Sequence, residues 1–167
     1  MEPILKVSNL SVSFNTPAGI VRAVRDVNFQ LKKGETLAIV GESGSGKSVT
    51  TKAILGILAK NGRIDSGEIL YDGGDLAKYE EKDFYAIRGK KISLVFQDPL
   101  SALNPIMKVG KQITEAVVLN GNYTKAEAKA RVLELMEAVG IPEPELRYHQ
   151  YPFQFSGGMR QRTERDT

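Results

Sequence analysis

The chain has 167 residues, room for one domain of ordinary size with a real core, and its 41% hydrophobic and 26% charged residues are those of a soluble globular protein. It has no cysteine and a single histidine, His149, which excludes disulfides and thiolate metal sites and argues against a histidine-based one. The 23 basic and 20 acidic residues are scattered and give no footing for nucleic-acid binding, no stretch nears the roughly 20 apolar residues of a membrane span, and the first residues carry no secretion-signal pattern.

Ile4 to Phe14 alternates loosely between apolar and polar residues, which predicts a half-buried strand. Thr16-Pro-Ala-Gly19 reads as a turn, Ile20 to Leu31 as the returning strand, and Lys32-Lys-Gly34 as the next turn. The apolar run Thr36-Leu-Ala-Ile-Val40 predicts a buried strand feeding the segment Gly41-Glu-Ser-Gly-Ser-Gly-Lys47-Ser48, and a helix-like stretch follows from Ser48 to Leu58. Next, Asn61-Gly62 and Ser66-Gly67 bracket a short segment, and Glu68 to Tyr71 reads as a brief strand ended by Asp72-Gly73-Gly74. Glu80 to Ile87 reads as a helix and Ile92 to Phe96 as a buried strand.

Beyond Asp98-Pro99 the pattern turns helical, first over Val109 to Leu119 and then over Thr124 to Val139. The second helix opens with the capping box Thr124-Lys-Ala-Glu127 and stops at Gly140. Its apolar residues Ala128, Val132, Leu135, Met136 and Val139 share one face, as in a helix packed on its neighbours. The whole reads as antiparallel strands, an α/β core and then two helical stretches.

Gly41 to Ser48 fits the phosphate-binding pattern G-x-x-x-x-G-K-[ST], between an apolar run and a helix, the context that pattern requires. Its glycines let the backbone curl with N–H groups pointing inward, and the helix N-terminus adds free donors and the positive end of its dipole. Lys47 is expected to reach the β- and γ-phosphates, and the Ser48 hydroxyl to bind Mg²⁺. The chain is therefore expected to bind a nucleoside triphosphate, though such loops serve kinases, GTPases and ATPases alike.

Two later motifs narrow the choice. Phe155-Ser-Gly-Gly-Met-Arg-Gln161 resembles the signature sequence of ATP-binding cassette (ABC) ATPases, and Val95-Phe-Gln-Asp-Pro99 resembles the same family's glutamine loop. Ser-Gly-Gly alone reads as a flexible turn; the order of phosphate loop, Gln97, helical insertion and Ser-Gly-Gly is what carries the resemblance, from about Leu5 to Arg162. Asn61-Gly-Arg-Ile64, Phe96-Gln-Asp-Pro99, Ser101-Ala-Leu-Asn-Pro105 and Tyr151-Pro152 are similar to ATP-binding subunits of bacterial dipeptide and oligopeptide importers, a group that also includes importers of nickel and other small solutes.

The resemblance implies an α/β P-loop fold with an antiparallel β part and an inserted helical subdomain: residues 1–98 as nucleotide-binding core, 99–162 as helical subdomain, and 163–167 as a tail outside the family pattern. It implies ATP and Mg²⁺ as ligands. Binding falls to Phe14, Gly41, Glu42, Ser43, Gly44, Ser45, Gly46, Lys47, Ser48, Val49, Ser156, Gly157 and Gly158, metal contact to Ser48 and Gln97, and catalysis to Lys47 and Gln97. Phe14 sits where the family has an adenine-stacking aromatic; its other reading is a core phenylalanine. Ser156 is expected to cap a helix whose start, free of bulky side chains, faces the γ-phosphate held by a second subunit in a head-to-tail pair. The helical part is expected to meet transmembrane permease subunits at the cytoplasmic face of the plasma (inner) membrane, with no nucleic-acid partner.

The family pattern continues with an apolar strand ending in aspartate and glutamate, then a switch histidine. Glu164 and Asp166 follow no such strand and His149 precedes Ser-Gly-Gly, so the chain reads as truncated at its C-terminus and inactive as an ATPase by itself. The readings left beside the importer are a non-transport ABC ATPase acting on DNA or the ribosome, and a nucleotide-binding fragment without turnover.

Overall fold

The computed structural model describes residues 2–95 and 103–164. The chain divides into two compact units, Met1–Arg88 and Gly89–Thr167.

The first unit is built on a four-stranded antiparallel sheet of order β2-β1-β3-β4, from β1 (Leu5–Thr16), β2 (Gly19–Leu31), β3 (Gly62–Tyr71) and β4 (Gly74–Asp75). The hairpin turn lies at the expected place: the Thr16 hydroxyl donates to the Gly19 carbonyl at 2.7 Å, and Gly19 takes a φ of 117°. Val7, Leu10, Val12, Val24 and Ile69 bury their side chains in this unit, each contributing roughly 1.5–3 kcal/mol of burial. The β1–β2 register slips between Val7 and Leu10, and side chains hold the irregularity in place. Asn28 Oδ1 accepts the Asn9 N–H at 2.8 Å, Asn9 Nδ2 donates to Asp26 at 2.7 Å, and Ser11 accepts the Asp26 N–H at 3.1 Å.

Strand β3 begins at Gly62, six residues before the expected Glu68. Gly67, expected to break the chain, lies inside the strand at φ 103°, where an added Cβ would stand 2.6 Å from the Leu10 Cα. The glycine permits a close backbone approach instead of ending the strand. Two other expectations are corrected. Thr36–Val40 joins no ladder among the described residues, and neither do residues 93–95; Leu37, Ile39, Val40 and Val95 are exposed. An apolar run encodes a preference for burial, but a strand also needs a neighbour to hydrogen-bond, and no described strand stands beside either run.

Helix α1 (Lys47–Ile54) starts at the expected place and is shorter than expected, and α2 (Glu81–Phe84) is a single turn. Arg88 closes the C-terminal end of α1, donating from Nε to the Leu55 carbonyl at 2.8 Å and from Nη2 to that of Gly56 at 2.9 Å. Its guanidinium lies 4.5 Å from the Phe84 ring centre and pairs with Glu81 at 2.6 Å, and this pairing holds the Glu81 carboxyl below the usual carboxylate range.

The second unit is helical: α3 (Val109–Asn120), α4 (Lys125–Ala138), α5 (Pro144–Tyr148) and α6 (Gly157–Glu164). Thr124 caps α4 as expected, and Ala128, Val132 and Met136 form its buried stripe. Val109, Ile113, Val132, Met136, Ile141, Phe155 and Met159 make one core. Helix α4 ends in a Schellman motif, with Gly140 at φ 74°, the Ile141 N–H on the Met136 carbonyl at 2.8 Å and the Gly140 N–H on that of Glu137 at 2.9 Å. The short α5 was not expected. Its Tyr148 hydroxyl lies 2.9 Å from that of Thr114, and its ring covers Gly110, where any Cβ would collide. No helix among the described residues is long and apolar enough to cross a membrane.

Candidate functional site

The segment Gly41–Ser48 curls around its own lysine. The Lys47 ammonium donates to the Gly41 carbonyl at 2.7 Å, the Glu42 carbonyl at 2.6 Å and the Ser45 hydroxyl at 3.1 Å, using all three of its donors. Two residues bend the chain, Gly44 at φ 83° and Gly46 at φ 89°, and only glycine takes these values without strain. Gly46 also backs directly on the sheet: a Cβ there would stand 2.6 Å from the Ala23 carbonyl and 3.3 Å from Val24. On the inner side, a Cβ on Gly41 would meet Ser45 Oγ at 2.8 Å. The cradle is therefore narrow, lined by backbone and one hydroxyl, with a cation at its centre and a helix N-terminus at its edge.

Each element places its part. Gly41, Glu42, Ser43, Gly44, Ser45 and Ser48 are exposed, Lys47 and Val49 half-buried, and Gly46 buried. The first turns of α1 are fixed by Thr50, a residue sequence reasoning passed over: buried, its hydroxyl and N–H both donate to the Gly46 carbonyl, at 3.0 and 2.9 Å. Beside the loop, Val27, Phe29, Leu37, Ile39 and Val40 line an apolar cavity of about 490 Å³. Chemically, such a cradle suits an anionic phosphate. Lys47 supplies the charge, the glycine backbone a close approach, and the exposed Ser48 hydroxyl an oxygen ligand for a hard cation.

Phe14 is half-buried on β1, in register with Val21 and Gly62, and a Cβ on Gly62 would lie 2.6 Å from its ring. One position earlier in β1, Ser13 donates to Asp65 at 2.9 Å, and Arg63 donates to the same oxygen at 2.8 Å. These bonds, Arg63 first, hold the Asp65 carboxyl below its ordinary value.

Ser156, Gly157 and Gly158 lie in the second unit as an exposed helix start. The Met159 N–H donates to Ser156 Oγ at 3.3 Å, the expected cap. A Cβ on Gly157 would meet nothing within 4 Å. Phe155 and Met159, both buried, bracket the triplet and anchor it from beneath. Just before it, the exposed Phe153 ring stacks on Tyr151, centroids 5.7 Å apart and planes 10° from parallel. Gln97 lies outside the described residues. The structure thus brings the 41–49 residues into one cradle and sets Ser156–Gly158 at a separate helix end. The residues that sequence reasoning missed, Thr50 and Arg88, act through side-chain bonds to carbonyls of the preceding turn and of a distant helix end, and no short motif carries that signal.

The family described as "ABC transporter" matches residues 24–164. DppD of Lactococcus lactis subsp. cremoris, a dipeptide transport ATP-binding protein, is 54% identical over 162 residues, covering 96% of this chain and 46% of that protein. OppD of Bacillus subtilis, an oligopeptide transport ATP-binding protein, is 55% identical over 160 residues, covering 95% and 45%. Among solved structures, the dimeric post-hydrolysis state of the ATP-binding cassette MJ0796 bound to ADP and Pi matches with a TM-score of 0.82 at 26% identity, covering 97% of this chain and 67% of that one. The chain spans about half the length of the curated relatives it matches.

Proposed function

Because this chain belongs to the ABC transporter family and has the α/β P-loop fold of its ATP-binding cassettes, we propose that it forms the ATP-binding part of a peptide importer. The observation that carries this reading is a phosphate cradle centred on Lys47, in a chain 54–55% identical to two peptide-transport ATP-binding proteins.

In this reading Gly41 to Val49 hold the triphosphate of ATP, and Lys47 exchanges its loop carbonyls for phosphate oxygens. Phe14 stacks on the adenine. Ser48 and Gln97 hold Mg²⁺, which when bound offsets the phosphate charge. Residues 1–98 act as the nucleotide-binding core and 99–162 as the helical subdomain. Ser156–Gly158, exposed and without bulk, present their donors to the nucleotide of a second ATP-binding subunit in a head-to-tail pair. Residues 97–105 and the helices after them dock transmembrane permeases, which keep the chain peripheral at the cytoplasmic face of the plasma (inner) membrane.

Lys47→Ala is the direct test of the cradle. An ammonium about 4 Å from a phosphate charge, at an effective dielectric near 20, is worth about 4 kcal/mol before desolvation. An affinity loss of roughly a hundredfold is expected in an ATP titration, and unchanged binding overturns the assignment. For the transport arm, Ser101→Cys in this cysteine-free chain should crosslink to a membrane-embedded subunit in native membranes. Capture only of DNA-binding or ribosomal proteins overturns that arm.

Within the 167 residues no apolar strand running into Asp-Glu follows Ser-Gly-Gly. Phosphoryl transfer depends on positioned charge, so this polypeptide alone is expected to bind ATP without family-like turnover. Phosphate release at saturating Mg²⁺-ATP, with Lys47→Ala as the blank, measures it; robust release that the variant abolishes contradicts the expectation.

A further inference from the structure

Arg162 lies in the second turn of α6 and folds back toward the start of that helix. Its Nε donates to the Gly158 carbonyl at 3.2 Å, and its Nη1 donates to the Gly140 carbonyl at 2.7 Å and, more weakly, to that of Val139 at 3.5 Å. Val139 and Gly140 are where α4 ends, and carbonyls at a helix end lack intrahelical partners. One planar guanidinium thus caps α4 and grips the third residue of Ser-Gly-Gly at once, a two-sided contact that an ammonium on a flexible stem does not reproduce. Gly140 leaves the space for it: a Cβ there would stand 3.1 Å from Nη1. Beneath, Phe155, Met159 and Thr163 are buried, which fixes the depth of α6. The Arg162 fork adds a directional restraint on the helix start.

We propose that Arg162 is a positioning residue for the Ser-Gly-Gly end, holding Ser156–Gly158 in register with the end of α4 so that their donors meet a phosphate in a fixed orientation. This inference rests on the reading of Ser156–Gly158 as phosphate donors in the assembled transporter. A helix that rocks about its buried anchors displaces its exposed first turn most, and a misplacement of about 1 Å at a reacting group costs up to roughly a hundredfold in rate.

The test is ATP turnover of the assembled transporter carrying Arg162→Met, Arg162→Lys, Ser156→Ala, or Arg162→Met with Ser156→Ala. Arg162→Met should lower kcat roughly ten- to a hundredfold with KM for ATP within about twofold, because the phosphate cradle of the second ATP-binding subunit, which holds the nucleotide that Ser156–Gly158 face, is untouched; Arg162→Lys, which keeps the charge and serves if the methionine variant does not fold, should restore only part of the rate. The double variant should be no slower than Ser156→Ala alone, a coupling that loss of fold stability does not produce. If Ser156→Ala slows turnover while both Arg162 variants run at the parent rate, or if the two losses multiply, the positioning role is overturned and the phosphate-donor reading stands. If Ser156→Ala itself turns over at the parent rate, that reading fails and the inference with it.

Discussion

Two glycines of the phosphate loop share a left-handed backbone yet differ in what surrounds them. At Gly44 an added Cβ meets nothing within 4 Å, so Gly44→Ala carries only the strain of a positive φ, about 1 kcal/mol. At Gly46 the same φ penalty is joined by a 2.6 Å approach to the Ala23 carbonyl, a backbone atom that cannot swing aside. Gly46→Ala should therefore destabilise by about 3 kcal/mol or more, and urea unfolding of the two variants should separate their midpoints. A loss at Gly44 equal to that at Gly46 would mean that the sheet backing is unimportant. That these positions are glycine was legible in the motif; which glycine is braced was not, because Ala23 lies on β2 and its contact with Gly46 leaves no mark in the local sequence.

At the scale of elements, the signals that held were local ones. The Thr124–Glu127 capping box closes as written: Glu127 accepts from the Thr124 N–H at 2.8 Å and from its hydroxyl at 2.7 Å, while the Glu127 N–H donates to Thr124 Oγ1 at 3.3 Å. Thr124→Ala should cost about 1 kcal/mol of stability. The same bonds, that from the Thr124 hydroxyl first, hold the Glu127 carboxyl below its ordinary value. The folded state then binds that proton less readily than the unfolded chain. The contribution is full above the ordinary glutamate pKa and is lost as pH falls through the lowered folded value. Unfolding free energies measured from about pH 6 to pH 3 should fall less steeply in Thr124→Ala than in the parent; parallel curves would detach the box from the acid limb. Elements that depend on remote partners were misjudged. Strand β3 passes through Gly67 because β1 crowds it, and Thr36–Val40 has the composition of a strand without a described partner.

Taken whole, the chain carries its two motif ends in different compact units, Gly41–Ser48 in the first and Ser156–Gly158 in the second. In the first unit an apolar surface stands open, with Leu37 41%, Ile39 47% and Val40 89% exposed beside the apolar cavity of about 490 Å³. Grouped apolar side chains of this kind promote association. The 167-residue polypeptide should bind an apolar fluorescent dye and self-associate with rising concentration, and Val40→Thr should reduce both. Light scattering and dye titration check this; a monodisperse, dye-silent polypeptide contradicts it.

The stacked ring of Phe153 offers an optical handle. It is 71% exposed, three residues before Ser156, in a chain that contains no tryptophan. An indole substituted there would be the sole long-wavelength emitter, braced against Tyr151 and free of background. Its colour would register whether this end of the second unit faces water or another surface, and a blue shift on adding ATP, or its absence, would show whether nucleotide buries that end.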